Sequence, residues 1–357
     1  MTLDCLLIAD DLTGACDAAV PFAMRGRRTR AAISISREAP AGEVVAISTD
    51  SRGLDAAQLR LLMVEAAPRL PVDRARILFK KIDSLLRGNP GAEIAAALEA
   101  FGLGAAVVTP AFPALGRTVD AGWLRVTAFD FEPVEVAARL REQGAEPCVH
   151  VGSNQVAETL RAGARFVSVD AASDADLDRI ADGGLAWGGR VLWAGSAGLA
   201  AALARTLPAR VAAPAPGLRD GPVLFAIGSD HPVTLEQLER LATSRPQHRV
   251  VRVPLAPVEP PALPLGLGGG LEGSFCREIL QARPAALVLS GGDTASLVCR
   301  ALGACSIEVH HEILPGIPSG VLLGGALDGT AVATKSGAFG KPDALIQIAD
   351  FFTCRKP

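Results

Sequence analysis

The sequence contains no tyrosine, and its formal net charge is only -3. Without a basic field, nucleic acid is not an expected partner. The missing tyrosine goes with an excess of Ala, Gly, Arg and Pro and reflects genome composition more than function. No CxxC pair occurs, and the seven cysteines, at positions 5, 16, 148, 276, 299, 305 and 354, are odd in number. Zinc-site spacing is therefore absent, no disulfide framework is expected, and a reducing cytoplasm fits. The longest uncharged run, 100–116, has 17 residues broken by two prolines and three glycines. A membrane helix needs about 20 apolar residues, so no membrane association is expected. Asp4 and no basic residue precede the first apolar run, which does not read as a signal peptide. Two nucleotide fingerprints are also missing. No GxxxxGK[ST] loop exists, and the one GxGxxG spacing, Gly268, Gly270 and Gly273, sits in a Pro/Gly loop with no strand before it.

What is present points to packed α/β structure. Apolar residues are 49% and charged residues 20% of 357. At roughly 100–200 residues per domain, two domains are expected. Short apolar runs, LDCLLIA (3–9), EVVAIST (43–49), ARILFKK (75–81), AAVVT (105–109), RFVSV (165–169) and RVLWA (190–194), alternate with helix-period segments. This alternation predicts an α/β fold with largely parallel sheets. A Pro-rich break at 206–222 reads as a linker, and a second series follows with VLFAIGS (223–229), HRVVRVP (248–254) and AALVLS (285–290). The expected layout is domain 1–207, linker 208–222 and domain 223–357, with a cleft between two α/β domains. Ligands of open α/β sheets bind beyond the carboxyl ends of strands, so residues just after strands are the candidates.

In the first domain those positions are charged. LLIADDLTGACDA ends an apolar run on Asp10 and Asp11. STDSRG carries Asp50 and Arg52, and KKIDSLLRGN carries Lys80, Lys81, Asp83 and Arg87. Cations can hold a substrate carboxylate, Arg bidentately, and carboxylates can accept bonds from hydroxyls. The plain alternative for any one stretch is solvated loop charge. In the second domain the post-strand turns are glycine-rich. SGGDTAS (290–296) opens a helix, where backbone amides and the helix dipole suit phosphate. FAIGSDHP supplies Ser229, and ATKSGAFGKPD supplies Lys335, Ser336, Gly337 and Gly340. Each turn alone is equally an N-cap or a loop. PAFPALGRT, with Arg117, is a substrate loop or a Pro-shaped turn.

Taken together, IADDLTGACD, STDSRGL, KKIDSLLRGN, TPAFPALGRT, WAGSAGLAAALA, AIGSDHPVT, LSGGDTA, EILPGIPSG and TKSGAFGKPDAL resemble the four-carbon acid sugar kinase family, in family order over nearly the whole chain. The resemblance implies ATP-dependent phosphorylation of a hydroxyl, the terminal 4-OH, of threonate, erythronate or 3-oxo-tetronate. It assigns the acid to the N-terminal domain and ATP to the C-terminal one. It places acid-sugar contacts at Asp11, Arg52, Lys80, Lys81, Ile82 and Asp83, with Asp10 beside them. Nucleotide contacts fall at Ser229, Gly291, Gly292, Asp293, Thr294 and Gly337. Asp11 and Asp293 are the candidate bases. Mg²⁺ would lie between phosphate oxygens, no residue is assigned as a dedicated metal ligand, and a homodimer is compatible. The stretch 119–140 is trimmed relative to the family, and Leu85 stands where Thr is common. The alternatives are a non-catalytic nucleotide and acid-sugar binder, a kinase of another small hydroxy acid, or a NAD-dependent hydroxy-acid oxidoreductase. The last lacks its glycine fingerprint.

Overall fold

The computed structural model describes residues 2–35, 41–212, 221–254 and 274–353. The glycine triplet Gly268, Gly270 and Gly273, and positions 213–220 of the expected linker, lie outside the described residues.

The chain opens with β1 (Leu3–Ala9), α1 (Leu12–Met24), β2 (Thr29–Ala32), β3 (Val44–Ser48), α2 (Ala56–Ala66), β4 (Ala75–Lys81), α3 (Pro90–Ala100) and β5 (Ala105–Thr109). The trimmed stretch then folds into a small antiparallel sheet of β6 (Arg117–Asp120), β7 (Trp123–Val126) and β8 (Val134–Glu135). It is followed by α4 (Val136–Glu142), β9 (Cys148–Val151), α5 (Val156–Arg161), β10 (Phe166–Val169), α6 (Asp174–Trp187), β11 (Val191–Gly195) and α7 (Ala197–Arg205). The second series runs through β12 (Val223–Ile227), α8 (Pro232–Ser244), β13 (Arg249–Arg252), α9 (Ser274–Ala282), β14 (Ala286–Ser290) and α10 (Gly292–Ala301). It closes with β15 (Ser306–Leu314), β16 (Ile317–Leu323), β17 (Ala331–Lys335) and α11 (Ala344–Thr353).

The fold is α/β with a large, mostly parallel sheet. Strands covered by helices on both faces must be apolar throughout, and β3, β5, β12 and β14 are buried at every position. The two series are not separate sheets. Fourteen strands pair in the order β13-β12-β14-β17-β16-β15-β2-β3-β1-β4-β11-β5-β10-β9. The join is antiparallel, with Ile307 opposite Ala31 and Val309 opposite Thr29. Antiparallel steps β15–β16 and β16–β17 complete the reversal of strand direction between the halves. One apolar core runs from β1 and α1 into α10 and β15, and a second lies between β12, β14, β17 and α11. Helix α1 touches β1, β3, β15 and α10, so it spans the join. Among the described residues no helix is long and apolar enough to cross a membrane.

Candidate active site

The site begins where β1 ends. Asp11 caps α1 in an extended conformation and accepts from the Gly14 amide and, at 3.1 Å, from Thr13 Oγ1. Such a cap satisfies an amide that the first turn would otherwise leave open. Gly14 is needed here. A Cβ on it would lie 2.8 Å from Asp11 Oδ1 and 3.4 Å from Lys81 Nζ.

Arg52, from the turn after β3, reaches across both aspartates. Its Nε donates to Asp10 at 2.6 Å, and its Nη2 lies 2.7 Å from Asp11 and 3.9 Å from Asp83. Burial alone would push the Asp11 carboxyl up, but Arg52, Lys81 and the two cap bonds outweigh it and hold it below the usual range. Asp11 is therefore ionised and an acceptor. Asp83 is likewise held well below its ordinary value against burial, by Arg87 first and then by Arg52 and Lys81. The Arg87 fork grips it at 3.1 and 2.6 Å. Three carboxylates in turn lock the Arg52 charge on against its own burial.

The two lysines of β4 point to opposite faces, as strand alternation requires. Lys80 is fully buried, pairs with Glu93 of α3 and donates to the Lys81 carbonyl at 3.1 Å. It lies beneath the site. Lys81 lies on the Asp11 side, and its ammonium donates to the Ile82 carbonyl at 2.9 Å. Ile82 is buried and gives the site its backbone only.

Sequence reasoning assigned no site role to Asp17 and left Arg117 between a substrate loop and a Pro-shaped turn, and both belong here. Asp17, one and a half turns along α1 from Asp11, is buried with Oδ1 unpartnered. Burial pushes its carboxyl up to about 7, opposed by Lys81 and Arg117 and reinforced by Glu312 and Asp11. Arg117 opens β6, donates to Ser84 Oγ and is buried with Nε unpartnered. Its pKa is pushed down to about 10 by burial, against the pull of Asp83 and Asp17. The signal for Asp17 was the one charge within α1, and for Arg117 the first charge after the long uncharged run 100–116.

The second half meets this pocket at α10. Gly291, at φ +110, and Gly292 form the turn between β14 and α10. A Cβ on Gly292 would lie 2.9 Å from Asp11 Cγ. The N-termini of α1 and α10 thus converge on one carboxylate, and their partial positive charges favour anions there. Thr294 and Ser290 are fully buried with hydroxyl oxygens that find no partner. Asp293 is exposed in the first turn. Ser229 lies against Gly337, where a Cβ would come 3.2 Å from Ser229 Cβ and 3.4 Å from His231 Cβ. The loop carrying Gly337 is fixed by buried Lys335, which donates to the carbonyls of Ser336, Gly337 and Phe339 at 3.0, 3.2 and 3.2 Å. Asp50, at φ +50 after β3, ties the halves together through Arg300 and, at 2.8 Å, Ser296 of α10.

The structure therefore brings Asp10, Asp11, Arg52, Lys81 and Asp83 together beyond β1, β3 and β4, sets Gly291, Gly292, Asp293 and Thr294 of the α10 turn against them, and places Ser229 and Gly337 beside that turn. Lys80 is set apart by its ion pair.

Residues 5–139 and 135–203 match the sugar-binding N-terminal domain family, and residues 269–345 the nucleotide-binding C-terminal domain family. The chain is 34% identical to a D-threonate kinase of Bordetella bronchiseptica over 96% of each chain. It is 29% identical to a D-erythronate kinase of Heliobacterium modesticaldum over 97% of this chain and 96% of that one. The chain belongs to the four-carbon acid sugar kinase family. It is a phosphotransferase with an alcohol group as acceptor, acting on a small molecule with ATP. A solved Haemophilus influenzae protein shares the fold, with a TM-score of 0.67 and 20% identity over 97% of this chain and 100% of that one.

Proposed function

We propose that this kinase transfers the γ-phosphoryl group of ATP to the 4-hydroxyl of a four-carbon acid sugar, with D-threonate the favoured acid. The contact of Asp11 with Gly292 carries the reading. It sets an ionised carboxylate from the charged pocket against the glycine turn that opens α10, where an acceptor hydroxyl and a terminal phosphate can meet.

The acid binds beyond β1, β3 and β4. Lys81 and the exposed edge of Arg52 hold its carboxylate, and Asp83 and Asp11 accept bonds from its hydroxyls. ATP lies over Ser229, Gly291–Thr294 and Gly337, with its phosphates at the α10 N-terminus. The unpartnered Thr294 and Ser290 hydroxyls suit phosphate or ribose oxygens. Phosphoryl transfer asks chiefly for positioning and charge neutralisation. Asp11 orients the acceptor hydroxyl and takes its proton as the new bond forms. The two helix ends stabilise charge on the transferring oxygens.

Among the described residues no cluster of three metal-ligating side chains exists. Mg²⁺ is bound through one or two carboxylates together with substrate phosphates. Asp293, exposed beside the turn, would hold it, and the ion would supply neutralisation of phosphate charge.

ADP release with Mg-ATP across C4 to C6 aldonates tests this reading. Turnover confined to four-carbon acids supports it, and ATP binding without turnover on any acid defeats it.

A further inference from the structure

Phe339 belongs to the nucleotide half, yet its ring lies against the acid half. The Arg117 guanidinium sits over that ring, 4.7 Å from its centroid. On the other side a Cβ at Gly316, in the β15–β16 turn, would come 2.6 Å from Phe339 Cε2. The ring is thus packed between a charge and a backbone turn. Arg117 in turn donates to Ser84, the neighbour of Asp83, and keeps one buried Nε without a partner. Phe339 is tied by its carbonyl to Lys335 Nζ at 3.2 Å and to Gln237 Nε2 at 3.1 Å. Its amide donates to Ser336 at 3.0 Å, which closes the loop that presents Gly337 to Ser229. A continuous set of contacts therefore leads from the acid pocket through Arg117 and Phe339 to the nucleotide loop.

We propose that Arg117 and Phe339 are a positioning pair that couples the two substrate sites, so that acid in the first half tightens nucleotide binding in the second. A bound acid places negative charge beside a buried guanidinium that lacks a carboxylate ion pair among the described residues. That fixes the guanidinium plane, and through the stacked ring it fixes the 336–340 loop. Coupling of this kind is reciprocal, so nucleotide tightens acid binding by the same factor. Cation–π contact with a desolvated guanidinium has the strength to carry it. The proposal rests on the assignment of acid and nucleotide to opposite sides of the cleft.

The test is calorimetric titration of the full chain with Mg²⁺ and a non-hydrolysable ATP analogue, with and without saturating D-threonate or another acid that the turnover screen identifies. In the wild type the acid is expected to lower the nucleotide Kd about 10-fold. In Phe339→Leu the factor is expected to fall below about 3, while Kd for nucleotide alone stays within about 2-fold of wild type. Phe339→Tyr keeps the ring face and is expected to restore the factor, and Arg117→Lys to lose it. A factor near 1 in the wild type, or an undiminished factor in both Phe339→Leu and Arg117→Lys, overturns the coupling. Turnover with no coupling removes this proposal alone. No turnover and no acid binding removes the functional reading with it.

Discussion

Asp11 and Gly292 lie 281 positions apart in sequence and touch across the cleft, so closely that a methyl group on the glycine would sit 2.9 Å from the carboxyl carbon. Asp11 cannot retreat. The Gly14 amide holds it from one side, and Arg52 holds it at 2.7 Å from another. Gly292→Ala is therefore expected to displace the reacting groups without unfolding the chain. A shift of about 1 Å at a reacting centre costs about 10²-fold in rate. Steady-state kinetics should show that loss in kcat, with the melting temperature little changed. Asp11→Asn, which removes the proton acceptor and keeps the shape, should lose a comparable factor or more.

Lys80 and Lys81 are neighbours with opposite fates. Lys80 is fully buried against Glu93. Removing one partner of a buried pair leaves an uncompensated charge and costs about 3–5 kcal/mol. Lys80→Ala should therefore fail in denaturant titration, and Lys80→Met combined with Glu93→Leu should recover most of the loss. Lys81, also buried, lies on the Asp11 side and donates to the Ile82 carbonyl at 2.9 Å. Lys81→Ala should cost some stability, because the lysine helps to hold Asp11 and Asp83 ionised, and should raise KM for the acid about 10- to 100-fold, the weight of a charge-assisted hydrogen bond. KM for ATP should move much less.

Asp17 sets a pH signature. Its carboxyl ordinarily titrates at 3.8, and burial raises it to about 7 in the fold. Between those values the folded chain holds a proton that the unfolded chain has released. Stability from this group is thus complete below pH 3.8 and drains away as pH rises to about 7. Asp83 works in the opposite direction, since its depressed value stabilises above the ordinary carboxylate range and is lost on acidification. The difference between wild type and Asp17→Asn isolates the first effect. Melting temperatures measured from pH 4 to 8 should fall less with rising pH in the variant.

These strand boundaries were legible because helix-covered parallel strands are largely continuous apolar runs. LDCLLIA, ARILFKK and AAVVT are β1, β4 and β5 to the residue. The join of the two halves was not legible. It rests on β2, whose four residues TRAA carry no strand signature, paired with β15 almost 280 positions away. The charged side of the site could be read from Asp11, Arg52 and Lys81, which follow strands. Lys80 lies in the same strand, one residue before Lys81, and only the burial of Glu93 on α3 shows that its charge is already taken. Asp17 carried no readable role and Arg117 stayed between two readings, because a charge among apolar residues takes its meaning from the face that buries it. Nothing in the sequence marks Phe339, because its partner Arg117 comes from a distant part of the chain.

The most direct test of the account is a crystal structure with a non-hydrolysable ATP analogue, Mg²⁺ and D-threonate bound together. The account predicts the terminal phosphate between the N-termini of α1 and α10, next to Gly292, with the acid on the Lys81 side and its 4-hydroxyl facing that phosphate. Nucleotide seated against Lys81 and Asp83, with Ser229, Gly291 and Gly337 left bare, would contradict it.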